Sequence, residues 1–248
     1  MAKQSGIFKI EGKIDELSFY KRGDVYLVRN KGGVSRERLM NDPAFQRTRE
    51  NISEFGMVAS ASRILRHGGA PVFRRAYDPR LHNRLMRLMT LAKNLDTLSR
   101  RGSRQVAEGF RTAEGRLLLR GFDFNSRAQL TRVLFAAFTV DATTGTISFP
   151  QLVTGQHFDA PPGATHVKLA SGFLRVDFAT GDSELVMSAD TTLTLDEEVS
   201  PVLAPPSVPT VDGLGLVLLL VAFYQEVNGV LYEFNACHFN VLHVVAVV

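Results

Sequence analysis

Residues 216–234 read LVLLLVAFYQEVNGVLYEF, and this stretch decides the fold. Two apolar segments, Leu216–Val227 and Val230–Phe234, are separated by Asn228-Gly229. Asn-Gly favours a two-residue β-hairpin turn, because both of its residues take positive φ readily. The apolar run Leu214–Tyr224 is about half as long as the roughly 20 residues that a membrane helix needs. The sequence therefore predicts a buried β-hairpin and no membrane span.

Strand signals extend over the second half of the chain. A hairpin is predicted from Phe138–Val140, the loop 141–145 and Thr146–Phe149. Further strands are predicted at Val167–Ala170, Phe173–Phe178, Glu184–Met187 and Val241–Val248. The stretch Thr191–Thr210 is rich in proline and is interpreted as a loop with one edge strand at most. About seven strands joined by hairpin turns predict an antiparallel β-sandwich.

The first half of the chain begins with short strands and continues with helices. Residues 6–29 alternate with the period of a strand, which predicts a β-hairpin or short meander, and Lys31–Ser35 is a predicted turn. Asp42-Pro43 and Asp78-Pro79 each provide a capping carboxylate followed by a proline, the typical start of a helix. The first helix is predicted to end at His67-Gly-Gly69.

Apolar residues recur at helical spacing in both of these segments. In the first helix they are Phe45, Thr48, Ile52, Phe55 and Ala59, and in the second Leu81, Leu85, Leu88, Ala92 and Leu95. Two such stripes predict a helical pair. A third helix is predicted from Ser103 to about Leu119, although Gly109 and Gly115 are unfavourable within a helix.

The predicted fold class is therefore α+β, with an N-terminal β-hairpin and a helical pair or bundle followed by an antiparallel β-sandwich. The change of character after Gly121 predicts two domains. Residues 1–120 form a basic β-hairpin plus helical region, and residues 121–248 form an acidic β-sandwich. The sequence leaves open whether the two halves share one core.

The two halves carry opposite charge. Residues 1–120 contain 25 Lys and Arg against 12 Asp and Glu, whereas residues 121–248 contain 4 against 13. The excess is greatest between Arg63 and Arg104. Such asymmetry indicates an acidic partner or attraction between copies, and the alternative is a solvated face on a helical pair. The candidate basic face consists of Arg74, Arg75, Arg80, Arg84, Arg87, Arg100, Arg101 and Arg104.

Motifs that carry chemistry are not found in the sequence. Its single cysteine, Cys237, excludes an intramolecular disulfide and is interpreted as a small buried apolar residue. The six histidines form no HxxxH or HxH pair, and no phosphate-binding or nucleophile motif is present. Asp196-Glu-Glu198 could bind a hard cation, but an acidic loop explains it as well. We expect no enzymatic activity, no metal and no cofactor.

Eight short motifs are distributed along the chain. The N-terminal motifs are Lys31-Gly-Gly-Val-Ser35, Asn41-Asp-Pro-Ala-Phe45, Arg47-Thr-Arg-Glu-Asn51 and Glu54-Phe-Gly56. Later ones are Lys93-Asn-Leu-Asp96, Pro162-Gly-Ala-Thr-His166, Val176-Asp-Phe-Ala-Thr-Gly181 and Gln225-Glu-Val-Asn-Gly229. Together they resemble the motifs of an uncharacterised family of proteins of roughly 250 residues from Bacteroidota. The resemblance runs along the whole chain and implies one integrated protein, but no activity and no site residues.

These observations favour a non-enzymatic structural subunit that assembles into a homo-oligomer or filament. The oppositely charged halves would attract each other between copies, and an apolar terminal strand would pair with another copy unless it is covered. The candidate residues of that strand are Val241, His243, Val245 and Val247. One alternative is a nucleic-acid-associated protein that contacts the phosphate backbone through Arg63–Arg104, and another is an adaptor for an acidic protein.

The beginning of the chain predicts its location. Residues 1–6 lead into a charged segment without an apolar run of signal-peptide length. The expectation is a cytoplasmic protein without a membrane partner, and release as part of an assembly stays open.

Overall fold

The computed structural model describes residues 2–30, 33–234 and 236–248, so part of the predicted turn at Lys31–Ser35 lies outside the described residues. The α-helices of the described residues are α1 (Arg36–Asn41), α2 (Gln46–Gly68), α3 (Ala70–Phe73), α4 (Leu81–Asn94), α5 (Val106–Arg111), α6 (Ala113–Leu119), α7 (Leu130–Val133), α8 (Thr154–His157) and α9 (Ala236–Phe239). Short 3-10 helices lie at Pro43–Phe45 and Arg74–Ala76.

The strands are β1 (Ala2–Lys3), β2 (Gly12–Ile14), β3 (Leu17–Arg22), β4 (Val25–Asn30), β5 (Thr139–Asp141), β6 (Thr146–Ser148), β7 (Leu152–Val153), β8 (His166–Val176), β9 (Ser183–Met187), β10 (Thr191–Thr194), β11 (Glu198–Val199), β12 (Val202–Leu203), β13 (Leu214–Val227), β14 (Val230–Glu233) and β15 (Val241–Val247). The order of strands, helices and then antiparallel sheets confirms the predicted α+β class.

Two compact units make up the chain, Met1–Arg49 and Glu50–Val248. The first contains a four-stranded antiparallel sheet in the order β1-β4-β3-β2. The meander predicted for residues 6–29 is confirmed for β2, β3 and β4, whereas its first part, residues 6–11, is not a strand. It is followed by α1, whose N-terminus is capped by the Ser35 hydroxyl, and by the 3-10 turn, where Asp42 accepts the N–H of Ala44. The predicted helix start at Asp42-Pro43 is therefore confirmed.

The second unit is built around β13. This strand pairs with β8 along Leu214–Tyr224, with β15 along Leu216–Val221, and with β14 beyond that. Asn228 and Gly229 have φ of 52° and 78°, so the predicted hairpin turn is confirmed. The two strands predicted at Val167–Ala170 and Phe173–Phe178 are one continuous strand, β8.

Both faces of this central sheet are covered, which explains why β13 is apolar at successive positions. One face packs on helices: Leu174 and Leu218 share a buried cluster with Val58, Leu65 and Leu85. The other face packs on the small sheet of order β12-β6-β5, where Ile147 and Leu203 meet Phe173, Val217 and Leu219. The sheet is therefore paired with a second sheet on one side only.

The packing of helices on one face of the sheet contradicts the domain boundary predicted at 120/121. The cluster that contains Val58, Leu65 and Leu85 also contains strand residues beyond position 121, so the expected boundary at 120/121 runs through one shared core. The boundary between the two compact units lies between Arg49 and Glu50 instead. The physical reason is that α2 and α4 bury apolar side chains in the same cluster as the strands. The stripe predicted for α2 is wrong, because Ile52 and Phe55 are 54% and 64% exposed and the helix buries Val58, Ala61 and Leu65 instead.

The third predicted helix is divided into α5 and α6 at Thr112, whose hydroxyl caps α6 by accepting the N–H of Gly115. The two glycines have a packing role. A Cβ on Gly109 would lie 1.8 Å from the carbonyl oxygen of Ala92, and one on Gly115 would lie 1.9 Å from the oxygen of Gly109. They allow close approach of α5 to α4 and of α6 to α5. The proline-rich stretch, predicted as a loop, also contains three short strands, β10, β11 and β12.

Candidate functional site

Two arginines of the predicted basic face have structural roles. Arg75 binds both carboxylate oxygens of Asp190, at 2.8 and 2.9 Å. Arg84 donates to the buried carboxylate of Asp78 at 3.0 Å and to the carbonyl oxygens of Asp123 and Phe124. These guanidinium groups join the helical region to the sheet region, so they are not available to an external partner.

Arg101 and Arg104 lie beside a buried ion pair. Lys93 donates to Glu54 in the interior, and the backbone N–H of Gly102 donates to the same carboxylate at 2.8 Å. Burial alone would raise the pKa of Glu54, but the bonds from Lys93 and Gly102 hold that pKa below its ordinary value of 4.5. Arg101 pairs with Glu50 at 3.4 Å, and Arg104 adds a further positive charge near Glu54.

Five arginines of the predicted face are exposed, and one of them, Arg101, pairs with Glu50. Within the described ranges, the other four form no ion pair: Arg74, Arg80, Arg87 and Arg100. Arg80 precedes α4 and Arg87 lies on its outer side, whereas Arg84 between them turns inward. The predicted face is therefore divided into buried or paired arginines and a smaller exposed set.

The terminal strand is covered on both edges over its middle part. On one side β15 pairs with β13. On the other side, Phe124 N–H donates to the Leu242 oxygen, Val244 N–H to the Phe122 oxygen, and Gly121 N–H to the Val244 oxygen. Val241 is fully buried, while His243, Val245 and Val247 are half-buried. The expectation of an edge free to pair with another copy is not met there, because residues 121–124 already occupy it.

Groups that could support chemistry have local structural partners. His243 Nδ1 lies 2.7 Å from Asp123 Oδ1, which also accepts the N–H of Leu130. A shallow cavity of about 430 Å³ beside α5 contains Glu108 paired with Arg111 at 2.7 Å.

No group of three or more His, Cys, Asp or Glu suited to a metal ion occurs among the residues that the structure describes. Cys237, expected to be buried, is half-exposed.

The most exposed apolar side chains of the first unit lie between β1 and β2. Ile7 and Phe8 are 96% and 87% exposed. Their loop is nevertheless organised: the Gln4 side chain donates to the Ile10 oxygen and accepts the Ile10 N–H, and Lys9 donates to the Gln4 and Gly6 oxygens. We call residues 4–10 the N-terminal loop. The sequence pattern placed Ile7 and Phe8 in a strand and gave no indication of their exposure.

A second exposed apolar surface is the end of the β13–β14 hairpin. Val227, Val230 and Tyr232 are 44%, 50% and 57% exposed. Cross-strand pairing of Val227 with Val230 and of Gln225 with Tyr232 places these side chains on one face. Sequence reasoning found this hairpin from its turn, but only the extent of the neighbouring strands shows that its end projects beyond them.

Within the part of the chain that the structure describes, no helix is long and apolar enough to cross a membrane. Comparisons with protein-family models, with curated proteins and with solved structures found no match. A function for this chain is therefore inferred from its own geometry.

Proposed function

We propose that this protein is a non-enzymatic structural subunit that assembles with copies of itself, and that its N-terminal unit provides a main contact. One observation carries the proposal: none of residues 2–30 and 33–49 is buried. A folded unit of this size normally buries apolar side chains, because their removal from water is the dominant favourable term in folding.

The sheet of this unit has an apolar face that would serve as such a contact. Ile14 pairs with Leu17, and Phe19 pairs with Val28, so these four side chains lie on the same face. Tyr26 lies on it too, opposite Lys21. Small sheets need a packed apolar face for independent stability, and exposed apolar patches mark interaction sites. Association with another copy would bury this face.

Charge supports association between copies. Residues 1–49 contain 11 Lys and Arg against 6 Asp and Glu, whereas residues 121–248 contain 4 against 13. A basic surface on one copy and an acidic surface on the next make a heterologous contact, which gives a ring or a filament. The terminal strand contributes less than the sequence suggested, because residues 121–124 cover its middle part.

Light scattering combined with negative-stain microscopy on nuclease-treated protein tests the proposal. We expect regular oligomers or filaments at low salt that become smaller at high salt, because salt screens the opposed charges. A monodisperse monomer at both salt concentrations would contradict self-assembly. The variant Ile7→Ser/Phe8→Ser should shift the population toward monomer, whereas Leu98→Ser, at a site 84% exposed in the second unit, should not.

The exposed arginines support a second candidate function, backbone contact with nucleic acid. Arg74, Arg80, Arg87 and Arg100 could each neutralise one phosphate. Binding would then weaken with salt, with a slope of log K against log salt of up to about −4. Fluorescence anisotropy with unrelated duplex sequences measures this slope, and Arg80→Glu/Arg87→Glu should reduce it by about half. Unchanged binding in that variant would contradict this function for α4.

A further inference from the structure

We infer that residues 7–14 of one copy dock against strand β14 of a second copy, so that β2 extends the central sheet of its neighbour. This inference rests on the proposed self-assembly and names the two surfaces that meet. The donor surface is the N-terminal loop tip together with β2, and the acceptor surface is the end of the β13–β14 hairpin.

The donor surface is ordered before it binds. Four hydrogen bonds involving Gln4 and Lys9 hold the loop, and they present Ile7 and Phe8 to solvent. A rigid apolar anchor loses little conformational entropy on binding, which favours affinity. Next to this anchor, β2 pairs with β3 alone among the described residues, so its other edge is free for a strand.

The acceptor surface also combines a free strand edge with exposed apolar side chains. In the described part of the chain, β14 pairs with β13 alone, which leaves its outer edge available for strand addition. Beside that edge, Val227, Val230 and Tyr232 form a half-exposed apolar face. Tyrosine is enriched at interfaces because its ring is apolar while its hydroxyl stays hydrated.

Charge complementarity identifies the partner as a second copy. The donor segment, residues 7–14, carries Lys9 and Lys13 against Glu11, and residues 224–233 of the hairpin carry Glu226 and Glu233 without a basic residue. Glu233 lies on β14, whose outer edge is free, and Glu226 lies on β13 opposite Leu231 of β14. An apolar anchor flanked by lysines therefore fits an apolar strand flanked by glutamates, and the same chain provides both.

The size of the contact fits a weak repeating interface. Ile7 and Phe8 of the donor are almost fully exposed, and Val230 and Tyr232 of the acceptor are 50% and 57% exposed, so all four side chains can lose contact with water. Together they bury less than the roughly 1,600 Å² that the two partners of a standard interface bury in total, as expected for a weak contact. Donor and acceptor are different surfaces, so each added copy presents a new acceptor, and the assembly grows until it closes.

Photo-crosslinking tests this docking in the full-length protein. Phe8 is replaced by p-benzoylphenylalanine, and equal amounts of isotopically heavy and light protein are mixed before illumination. We expect crosslinked peptides that join position 8 of one isotope to residues 224–233 of the other. Leu98, replaced in the same way, is the control, and should give no crosslink to residues 224–233.

The outcomes separate this inference from the proposed function. Crosslinked oligomers joined at other residues would overturn the docking site while self-assembly stands. Crosslinks between peptides of one isotope only, with a monomer in light scattering, would overturn both. A charge exchange gives independent support: Lys13→Glu and Glu226→Lys should each weaken association at least tenfold, and the double variant should restore it. Failure of the double variant to recover would count against the pairing of these two surfaces.

Discussion

At the scale of single residues, buried carboxylates organise the helical region. Glu54 accepts from Lys93 and Gly102, and Asp96 accepts the backbone N–H groups of Leu98, Ser99 and Gln105. Burial raises the pKa of each carboxyl, but these donors lower it by more, so both pKa values lie below their ordinary range. The loop 95–105 is therefore held by charges that must stay ionised.

Acid should destabilise the protein through these groups. Because the folded-state pKa of Glu54 is below 4.5, its contribution is present above about pH 4.5 and is lost as the pH falls through the folded pKa. Glu54→Gln should lower the free energy of unfolding by about 3 kcal/mol at pH 7, since Lys93 is left buried without a counter-charge. It should also flatten the decline below pH 4.5. Urea unfolding between about pH 3 and 7 measures both effects, with the exposed Asp212→Asn as control.

Two glycines make a matched pair for the packing of helices. Gly109→Ala should destabilise by about 3 kcal/mol, because the new Cβ would overlap the Ala92 oxygen. A Cβ on Gly56, in α2, would meet no atom of another element within 4 Å, so Gly56→Ala should stabilise by about 0.5–1 kcal/mol. Thermal unfolding compares the two variants. Equal effects would mean that helix propensity, not close approach, decides the residue at position 109.

At the scale of elements, α4 presents two different arginine environments three residues apart. Arg84 faces Asp78 and two carbonyl oxygens, and its guanidinium lies 4.6 Å from the ring centre of Phe122. Arg87 is exposed. Charge counting along the helix treats both alike, although only Arg87 can meet an external partner.

The two arginines should therefore respond differently to substitution. Arg84→Ala should reduce the free energy of unfolding by about 2 kcal/mol, because the buried Asp78 carboxylate and two carbonyl oxygens lose a donor. Arg87→Ala should change it by less than about 0.5 kcal/mol. Chemical denaturation measures both values. A similar loss in the two variants would show that helix charge, and not the bond to Asp78, supports stability.

At the scale of the whole molecule, the shared core decides which fragments are stable. Helices of the first half and strands of the second contribute to the same buried cluster. The four-stranded sheet of residues 2–30 contributes no buried side chain.

Limited proteolysis should reflect this division. We expect a resistant fragment that begins near residue 50 and extends to the C-terminus, because Glu50–Val248 is one compact unit. Cleavage near Gly121 should not yield two stable halves, since α2 and α4 would lose the sheet against which they pack. Mass spectrometry of the fragments identifies the cleavage sites. Stable fragments ending near residue 120 would contradict the shared core.

Local signals in the sequence determined many elements of this protein. The Asn228-Gly229 turn, the Asp42-Pro43 helix start and the alternation in β3 and β4 each depend on a few neighbouring residues. Local preferences can be recognised without knowing the rest of the fold. The α+β class followed from them.

Only the tertiary structure decided which surfaces are free. Arg84 and Arg87 look equivalent in sequence, and so do the strand-like segments near the two ends of the chain, Ile7–Ile10 and Val241–Val248. Long-range partners distinguish them. Asp78 and the carbonyl oxygens of residues 123 and 124 bind Arg84, whereas Arg87 stays exposed. Residues 121–124 cover one edge of β15, whereas Ile7 and Phe8 stay exposed. Burial depends on what packs against a residue from distant parts of the chain, and a local pattern carries no information about that.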